Sequence, residues 1–222
     1  MKKQDILSRV DHTLLKPTAT WEEIKKLCDE AVKYKTASVC VPQTYVKQIR
    51  EYYGDALKIC TVIGFPLGYN SGPSKVNEAM YSIAEGADEI DMVINVIDVK
   101  NGNYNKVEKE IAAIKAVCGK KILKVIVETC YLTELEKMKM CNVVQNAGAD
   151  YIKTSTGFGT DGAKIADVKL FKSRLKSAVK VKAAGGISTI EDLKAFVEAG
   201  SDRIGTSRAV GLLKDLPDDK EI

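Results

Sequence analysis

Three stretches share one frame: Gly86-Ala-Asp-Glu-Ile-Asp91, Gly148-Ala-Asp-Tyr-Ile-Lys153 and Gly200-Ser-Asp-Arg-Ile-Gly205. In each, a glycine closes a helical pattern, an aspartate marks the junction, and the chain enters a strand. Successive side chains on a strand face opposite ways. If Ile90, Ile152 and Ile204 pack outward against helices, then Asp91, Lys153 and Gly205 point to the inner face. The segment Lys35-Thr-Ala-Ser-Val-Cys40 fits the frame loosely and puts Cys40 on that face too.

Outward from these three units the same alternation continues. Strands are expected at 9–14, 37–41, 58–64, 89–95, 122–128, 151–154, 179–183 and 203–206. Helical patterns fall between them at 21–34, 73–85, 107–117, 133–146, 166–175 and 190–198, with a short one at 209–213. The run Ile122-Leu-Lys-Val-Ile-Val127 is apolar at nearly every residue, as in strands covered on both faces of a parallel sheet. Eight strands in 222 residues leave roughly 28 per unit, the size of a strand–helix repeat. No linker or low-complexity tract divides the chain. The pattern predicts a single domain over 1–222, a (β/α)8 TIM barrel of class α/β. The alternative is an open doubly wound sheet, which usually has fewer strands and an early glycine-rich turn that this chain lacks.

Composition excludes several classes. Hydrophobic residues make up 45% and charged residues 29%, which suits a folded soluble protein and not a disordered one. The formal net charge of +4, without a block of like charges, argues against nucleic acid as the partner. No run approaches the roughly 18 apolar residues of a membrane span. The opening MKKQDILSRVDH has no apolar core and does not read as a signal peptide. The six cysteines, Cys28, Cys40, Cys60, Cys118, Cys130 and Cys141, are scattered and form no Cys-x-x-Cys pair. They suggest a reducing, cytoplasmic location, with a buried and inert role as the plain reading of each.

The reactive groups of such a barrel line the C-terminal ends of its strands. An ionisable side chain pointing inward must be solvated, paired or functional. Three strands offer one: Asp91, Lys153 and Lys182. A free lysine, with a pKa of about 10.4, is protonated at neutral pH and cannot attack a carbonyl. Burial and a second ammonium both favour the neutral amine, which can form a Schiff base with an aldehyde or ketone. A nearby aspartate can move the protons. This chemistry needs no metal or cofactor, and none is expected. Against it, strand lysines often end in water at a strand mouth, Asp91 could serve only the fold, and Cys40 alone suits a core better than a catalyst.

A second group suits an anion. Gly157-Phe-Gly159 follows Lys153, Gly185-Gly186 follows Lys182, and Gly205-Thr-Ser-Arg208 opens the short helix at 209–213. Glycines let backbone N–H groups approach a phosphate, and barrels commonly hold phosphate at the loops after their last two strands. The plainer reading is that these glycines only make tight turns.

At these residues the sequence closely resembles the deoxyribose-phosphate aldolase family, Schiff-base aldolases on a TIM barrel. The resemblance covers nearly the whole chain. It rests on Asp11-His-Thr-Leu-Leu15, Val39-Cys-Val-Pro42, Val62-Ile-Gly-Phe-Pro-Leu-Gly68, Gly86-Ala-Asp-Glu-Ile-Asp91, Lys124-Val-Ile-Val-Glu128, Tyr151-Ile-Lys-Thr-Ser-Thr-Gly-Phe-Gly159, Val181-Lys-Ala-Ala-Gly-Gly-Ile187 and Arg203-Ile-Gly-Thr-Ser207. It implies reversible cleavage of 2-deoxy-D-ribose 5-phosphate to acetaldehyde and D-glyceraldehyde 3-phosphate, in the catabolism of deoxynucleosides. It places the Schiff base on Lys153, the lysine that lowers its pKa at Lys182, and proton donation and acceptance on Asp91. The phosphate site falls on Gly157, Gly185, Gly186, Gly205 and Ser207. Asp11 and Cys40 match substrate-side positions, Asp11 supporting the charge network and Cys40 packing near the small aldehyde. Relatives are often dimers, so the partners implied are phosphosugar and aldehyde substrates and a second copy of the chain, with neither nucleic acid nor membrane.

Two departures stand out. Many relatives have arginine after Gly-Gly-Ile, where this chain has Ser188; it has Arg208 instead, where small residues are common. Arg208 is therefore expected to supply the phosphate cation absent at position 188. Some relatives also end in a tyrosine that assists proton transfer, and the tail Pro217-Asp-Asp-Lys-Glu-Ile222 has none. Two other functions stay open on the residues alone: a phosphosugar isomerase or epimerase using Glu128 or Asp91 as base, and a phosphate-ligand binding protein without chemistry.

Overall fold

All eight expected strands form, and they close on themselves. The computed structural model describes residues 1–176, 178–217 and 221–222. The strands are β1 (Val10–Thr13), β2 (Ser38–Val41), β3 (Ile59–Ile63), β4 (Glu89–Val93), β5 (Ile122–Ile126), β6 (Tyr151–Lys153), β7 (Lys180–Ala184) and β8 (Arg203–Thr206). Each pairs in parallel with its sequence neighbours, and β8 pairs with β1. That last pairing excludes the open sheet, which would leave two free edges.

The three-fold repeat has a local cause. Gly86, Gly148 and Gly200 have φ of +108°, +75° and +106°, a region that disfavours a Cβ. At each, two backbone bonds close the preceding helix, as in Ala87 N–H to Ser82 O (2.9 Å) and Gly86 N–H to Ile83 O (3.0 Å). The aspartate two residues on then clamps the preceding strand. Asp88 accepts from Ile59 N–H (3.1 Å), Asp150 from Leu123 N–H (2.8 Å) and Asp202 from Val181 N–H (2.9 Å). One short motif thus stops a helix and sets the register of the next strand against the last.

The facing predicted from the repeat holds. Ile90, Ile152 and Ile204 are fully buried in the apolar layer between barrel and helices, with Val39, Ile59, Met92, Val125 and Val181. Burying each such side chain contributes about 1.5–3 kcal/mol. The alternate positions face the barrel axis, and toward its base they are charged.

The helices are α1 (Lys3–Leu7), α2 (Trp21–Tyr34), α3 (Val46–Tyr53), α4 (Gly72–Ala84), α5 (Val96–Lys100), α6 (Tyr104–Cys118), α7 (Glu134–Asn146), α8 (Ile165–Arg174), α9 (Ile190–Glu198) and α10 (Ala209–Leu213). Thr20, Thr133 and Thr189 cap α2, α7 and α9 in reciprocal boxes with Glu23, Glu136 and Asp192. The sequence reading leaves out α1, α3 and α5, which are too short to show a clear helical period. Of the tail without tyrosine, residues 218–220 lie outside the described residues. No described helix is long and apolar enough to cross a membrane.

Candidate active site

Register brings the inward ionisable residues together. Asp91 on β4 is opposite Lys124 on β5, Lys153 on β6 is opposite Lys182 on β7, and Lys182 is opposite Arg203 on β8. Asp91 Oδ2 accepts from Lys153 Nζ at 2.8 Å and from Lys182 Nζ at 2.7 Å. Its Oδ1 accepts from Lys124 Nζ at 2.8 Å and from the Cys60 thiol at 3.2 Å. Lys182 also donates to Asp11, which accepts from Arg203 and from Ser38 Oγ (2.7 Å). Glu89 closes the group through Lys124 (2.6 Å) and Arg203 (3.1 Å). Three carboxylates (Asp11, Glu89, Asp91) therefore face four cations (Lys124, Lys153, Lys182, Arg203) inside the barrel.

Burial opposes every one of these charges, and the partners decide the outcome. For Asp91, burial pushes the carboxyl pKa up, but the ammoniums of Lys124, Lys153 and Lys182 hold it well below the carboxylate range. For Asp11, Lys182, Lys124 and Arg203 outweigh burial in the same sense. Burial disfavours the Lys182 ammonium, yet Asp11 and Asp91 hold its pKa above the usual lysine value. Lys124 is raised likewise against burial, chiefly by Asp91. At neutral pH Lys182 and Lys124 are fixed cations and Asp91 a fixed anion.

A cavity of about 440 Å³ opens at the C-terminal ends of β1, β6, β7 and β8. Its wall includes Lys153, Gly157, Gly185, Gly186, Gly205, Ser207 and Arg208. Of the four network cations only Lys153 is on that wall. Gly157, Gly185 and Gly186 have φ of +86°, +86° and +78°. Among the described residues, the N–H groups of Gly157, Gly185, Gly186 and Ser207 have no protein hydrogen-bond acceptor. Gly205 has a further use: a Cβ there would stand 3.1 Å from Lys182 Cε and 3.0 Å from Ala184 Cβ, so its absence makes room for the Lys182 stem.

The resemblance put Asp11 in the charge network and Cys40 near the small aldehyde. Both are fully buried and neither lines the cavity. Asp11 is the counter-ion of Lys182, and Cys40 is the register partner of Cys60. Sequence reasoning missed Lys124, Glu89 and Arg203. Lys124 was visible as the one charge in an apolar strand, two residues before Ile126 and on the same face. It also missed Lys16, an exposed cation on the cavity wall.

Two clusters have ligand atoms close enough for a metal: Cys40, Cys60 and Asp91, and Asp11, Cys60 and Glu89. Their carboxylates already accept from lysine and arginine, so an ion would have to displace buried cations to bind.

A closed barrel with a lysine Nζ at the floor of its C-terminal cavity, beside glycine loops with free N–H groups, defines a barrel enzyme built for a carbonyl substrate bearing an anion. A family model described as DeoC/LacD family aldolase matches residues 6–214. The deoxyribose-phosphate aldolase of Clostridium botulinum (strain Alaska E43 / Type E3) is 62% identical over 96% of this chain and 97% of its own. That of Clostridioides difficile (strain 630) is 56% identical over 95% and 96%. Among solved structures, a deoxyribose phosphate aldolase from Aeropyrum pernix, described as a unique tetramer, matches with a TM-score of 0.89 and 34% identity over 96% of this chain and 91% of that one. The chain belongs to the DeoC/LacD family of aldolases.

Proposed function

We propose that the chain cleaves 2-deoxy-D-ribose 5-phosphate reversibly to acetaldehyde and D-glyceraldehyde 3-phosphate through a Schiff base on Lys153. The observation that carries this reading is the position of Lys153. It is the one member of a buried four-cation, three-carboxylate group that reaches the cavity. Lys182 and Lys124 stand beside it as permanent cations.

The amine nitrogen attacks the aldehyde carbon of the open-chain sugar, and loss of water leaves an iminium. A base takes the proton of the C3 hydroxyl, the C2–C3 bond breaks, and its electron pair moves to the iminium nitrogen as an enamine. Glyceraldehyde 3-phosphate leaves. The enamine takes a proton at C2, and water releases acetaldehyde and the amine. Asp91, held as a carboxylate, anchors Lys153 in the resting site. Asp91, 2.8 Å from the Lys153 nitrogen, serves proton transfer through a water. The free N–H groups of Gly157, Gly185, Gly186 and Ser207 receive the phosphate, with Gly205 on the same wall and Arg208 as its cation. Asp11 sets the charge of Lys182, and Cys40 packs below the two-carbon fragment. A homo-oligomer and a reducing, cytoplasmic location complete the reading; the six free thiols and the assembly of the Aeropyrum pernix relative support it.

Incubation with substrate and borohydride tests it. A mass gain on Lys153 is expected, together with loss of turnover in Lys153→Arg, whose guanidinium stays protonated. Absence of any adduct would favour an isomerase or a binding protein, and near-normal turnover in that variant would end the Schiff-base account.

A further inference from the structure

Glu128 has a geometry that none of the roles above uses. It follows β5 at the barrel mouth with φ +52°. Among the described residues only Lys35 shares a left-handed backbone without being glycine, and Lys35 merely caps a helix. A side chain in that region stores strain unless its surroundings hold it there. Glu128 is buried, at 3% exposure, and its carboxyl grips one residue. Thr156 N–H donates to its two oxygens at 3.2 and 3.3 Å, and the Thr156 hydroxyl donates to Oε2. The same hydroxyl accepts from Phe158 N–H at 3.0 Å. Burial pushes the Glu128 carboxyl pKa up, and these Thr156 bonds, with Lys153, pull it back only in part. Gly159 completes the fit: a Cβ there would meet Cys130 Sγ at 2.9 Å and the Glu128 carboxyl carbon at 3.2 Å, so it would push the Cys130 and Glu128 side chains aside.

Thr156, Gly157 and Phe158 line the cavity immediately after Lys153. The Glu128 grip takes up the N–H groups of Thr156 and Phe158 and leaves the one between them, on Gly157, unpartnered among the described residues. We propose that Glu128 is a positioning residue that holds the Thr156–Gly157–Phe158 turn as one wall of the phosphate cradle. A carboxylate just beyond the end of the neighbouring strand β5 thereby fixes the distance between the anion site and Lys153. The proposal rests on the aldolase reading for its substrate, and on the loop geometry for the anion.

The test compares Glu128→Ala and Glu128→Gln with the wild-type chain. Four quantities are read: inorganic phosphate affinity by calorimetry, kcat and KM for 2-deoxyribose 5-phosphate, and kcat/KM for unphosphorylated 2-deoxyribose. In Glu128→Ala, phosphate affinity is expected to fall about tenfold and KM for the phosphorylated sugar to rise in step, the scale of one charged hydrogen bond. The unphosphorylated sugar should lose several-fold less. Glu128→Gln keeps one oxygen for Thr156 N–H and should fall between, and it decides the matter should the alanine variant not fold. Equal losses on both sugars, or phosphate affinity unchanged in the glutamine variant and in any folded alanine variant, overturn the proposal. A wild-type chain that binds phosphate but gives no cleavage and no borohydride adduct would sink the aldolase reading instead, with the calorimetry still deciding the role of Glu128. A wild-type chain that binds no phosphate overturns the proposal.

Discussion

Lys153 and Lys182 are register partners on adjacent strands, and their Nζ atoms donate to the same oxygen of Asp91, at 2.8 and 2.7 Å. Two ammoniums on one oxygen is a crowded arrangement. Lys182 is the one tied down, since it also donates to Asp11 and touches no cavity wall. Lys153 has no second carboxylate partner within ion-pair distance among the described residues. A division of labour follows, with Lys182 as the fixed charge and Lys153 as the reactive nitrogen.

Replacing Lys182 by methionine removes that charge and keeps an unbranched apolar stem one atom shorter. The field at Lys153 becomes more negative, because Asp91 and Asp11 lose a cation, and this favours the ammonium over the attacking amine. Turnover at neutral pH should fall by about tenfold or more, and the pH optimum should move up by about one unit. The pH–rate profile of the cleavage measures it. A profile unmoved in position would remove Lys182 from the chemistry.

Asp11→Asn tests the foundation of the group. The native pKa of Asp11 is depressed, so its contribution is fully present above the unfolded value of about 3.9 and is lost as pH falls through the native value. The variant should be less stable by about 3–5 kcal/mol near pH 7, since Lys182 and Arg203 are left buried without their anion. The gap should stay level between about pH 5 and 8 and shrink below about pH 4. Urea unfolding at several pH values measures it, and a gap that widens on acidification would contradict the sign.

The sequence made the barrel legible because helix stops, junction aspartates and strand facing recur at Asp88, Asp150 and Asp202, each clamping the strand before it. Asp91 and Lys153 were legible for the same reason, because alternation from the buried Ile90 and Ile152 says which way the next residue points, and Lys182 follows from the buried Val181 in the same way. The full charge group was not. Lys124, Glu89 and Arg203 lie in strands that otherwise read as apolar or as strand starts, and only the closed register shows that they meet. The depth of Asp11 and Cys40 was hidden too, since facing gives direction toward the axis but not height along it.

Gly205→Ala separates two explanations of that glycine. Its φ is not in the left-handed region, so alanine brings no backbone strain. The added Cβ would instead press Lys182 Cε at 3.1 Å and Ala184 Cβ at 3.0 Å. Overpacking of this kind costs about 1–3 kcal/mol. The flexible lysine stem yields more easily than the backbone-bound Ala184, so the disturbance should reach Asp91 and Lys153. We expect kcat to fall about tenfold with a modest change in KM, the magnitude of a displaced catalytic group. A rise in KM for the phosphorylated sugar alone would place Gly205 in the phosphate cradle rather than beside Lys182.

Arg208 and Ser188 are on the walls of one cavity. That makes the exchange of a cation between positions 188 and 208 physically reasonable, since an anion in the middle could be reached from either loop. Arg208→Ala should raise KM for 2-deoxyribose 5-phosphate about tenfold, the value of one charge-assisted hydrogen bond to phosphate, and leave kcat largely alone. Adding Ser188→Arg to that variant should recover most of the loss, because the guanidinium returns to the same cavity from its other side. Steady-state kinetics of the two variants decide it. An unchanged KM in Arg208→Ala would leave Lys16, from the β1 side, as the remaining cation available to the phosphate on the cavity wall apart from the reactive Lys153.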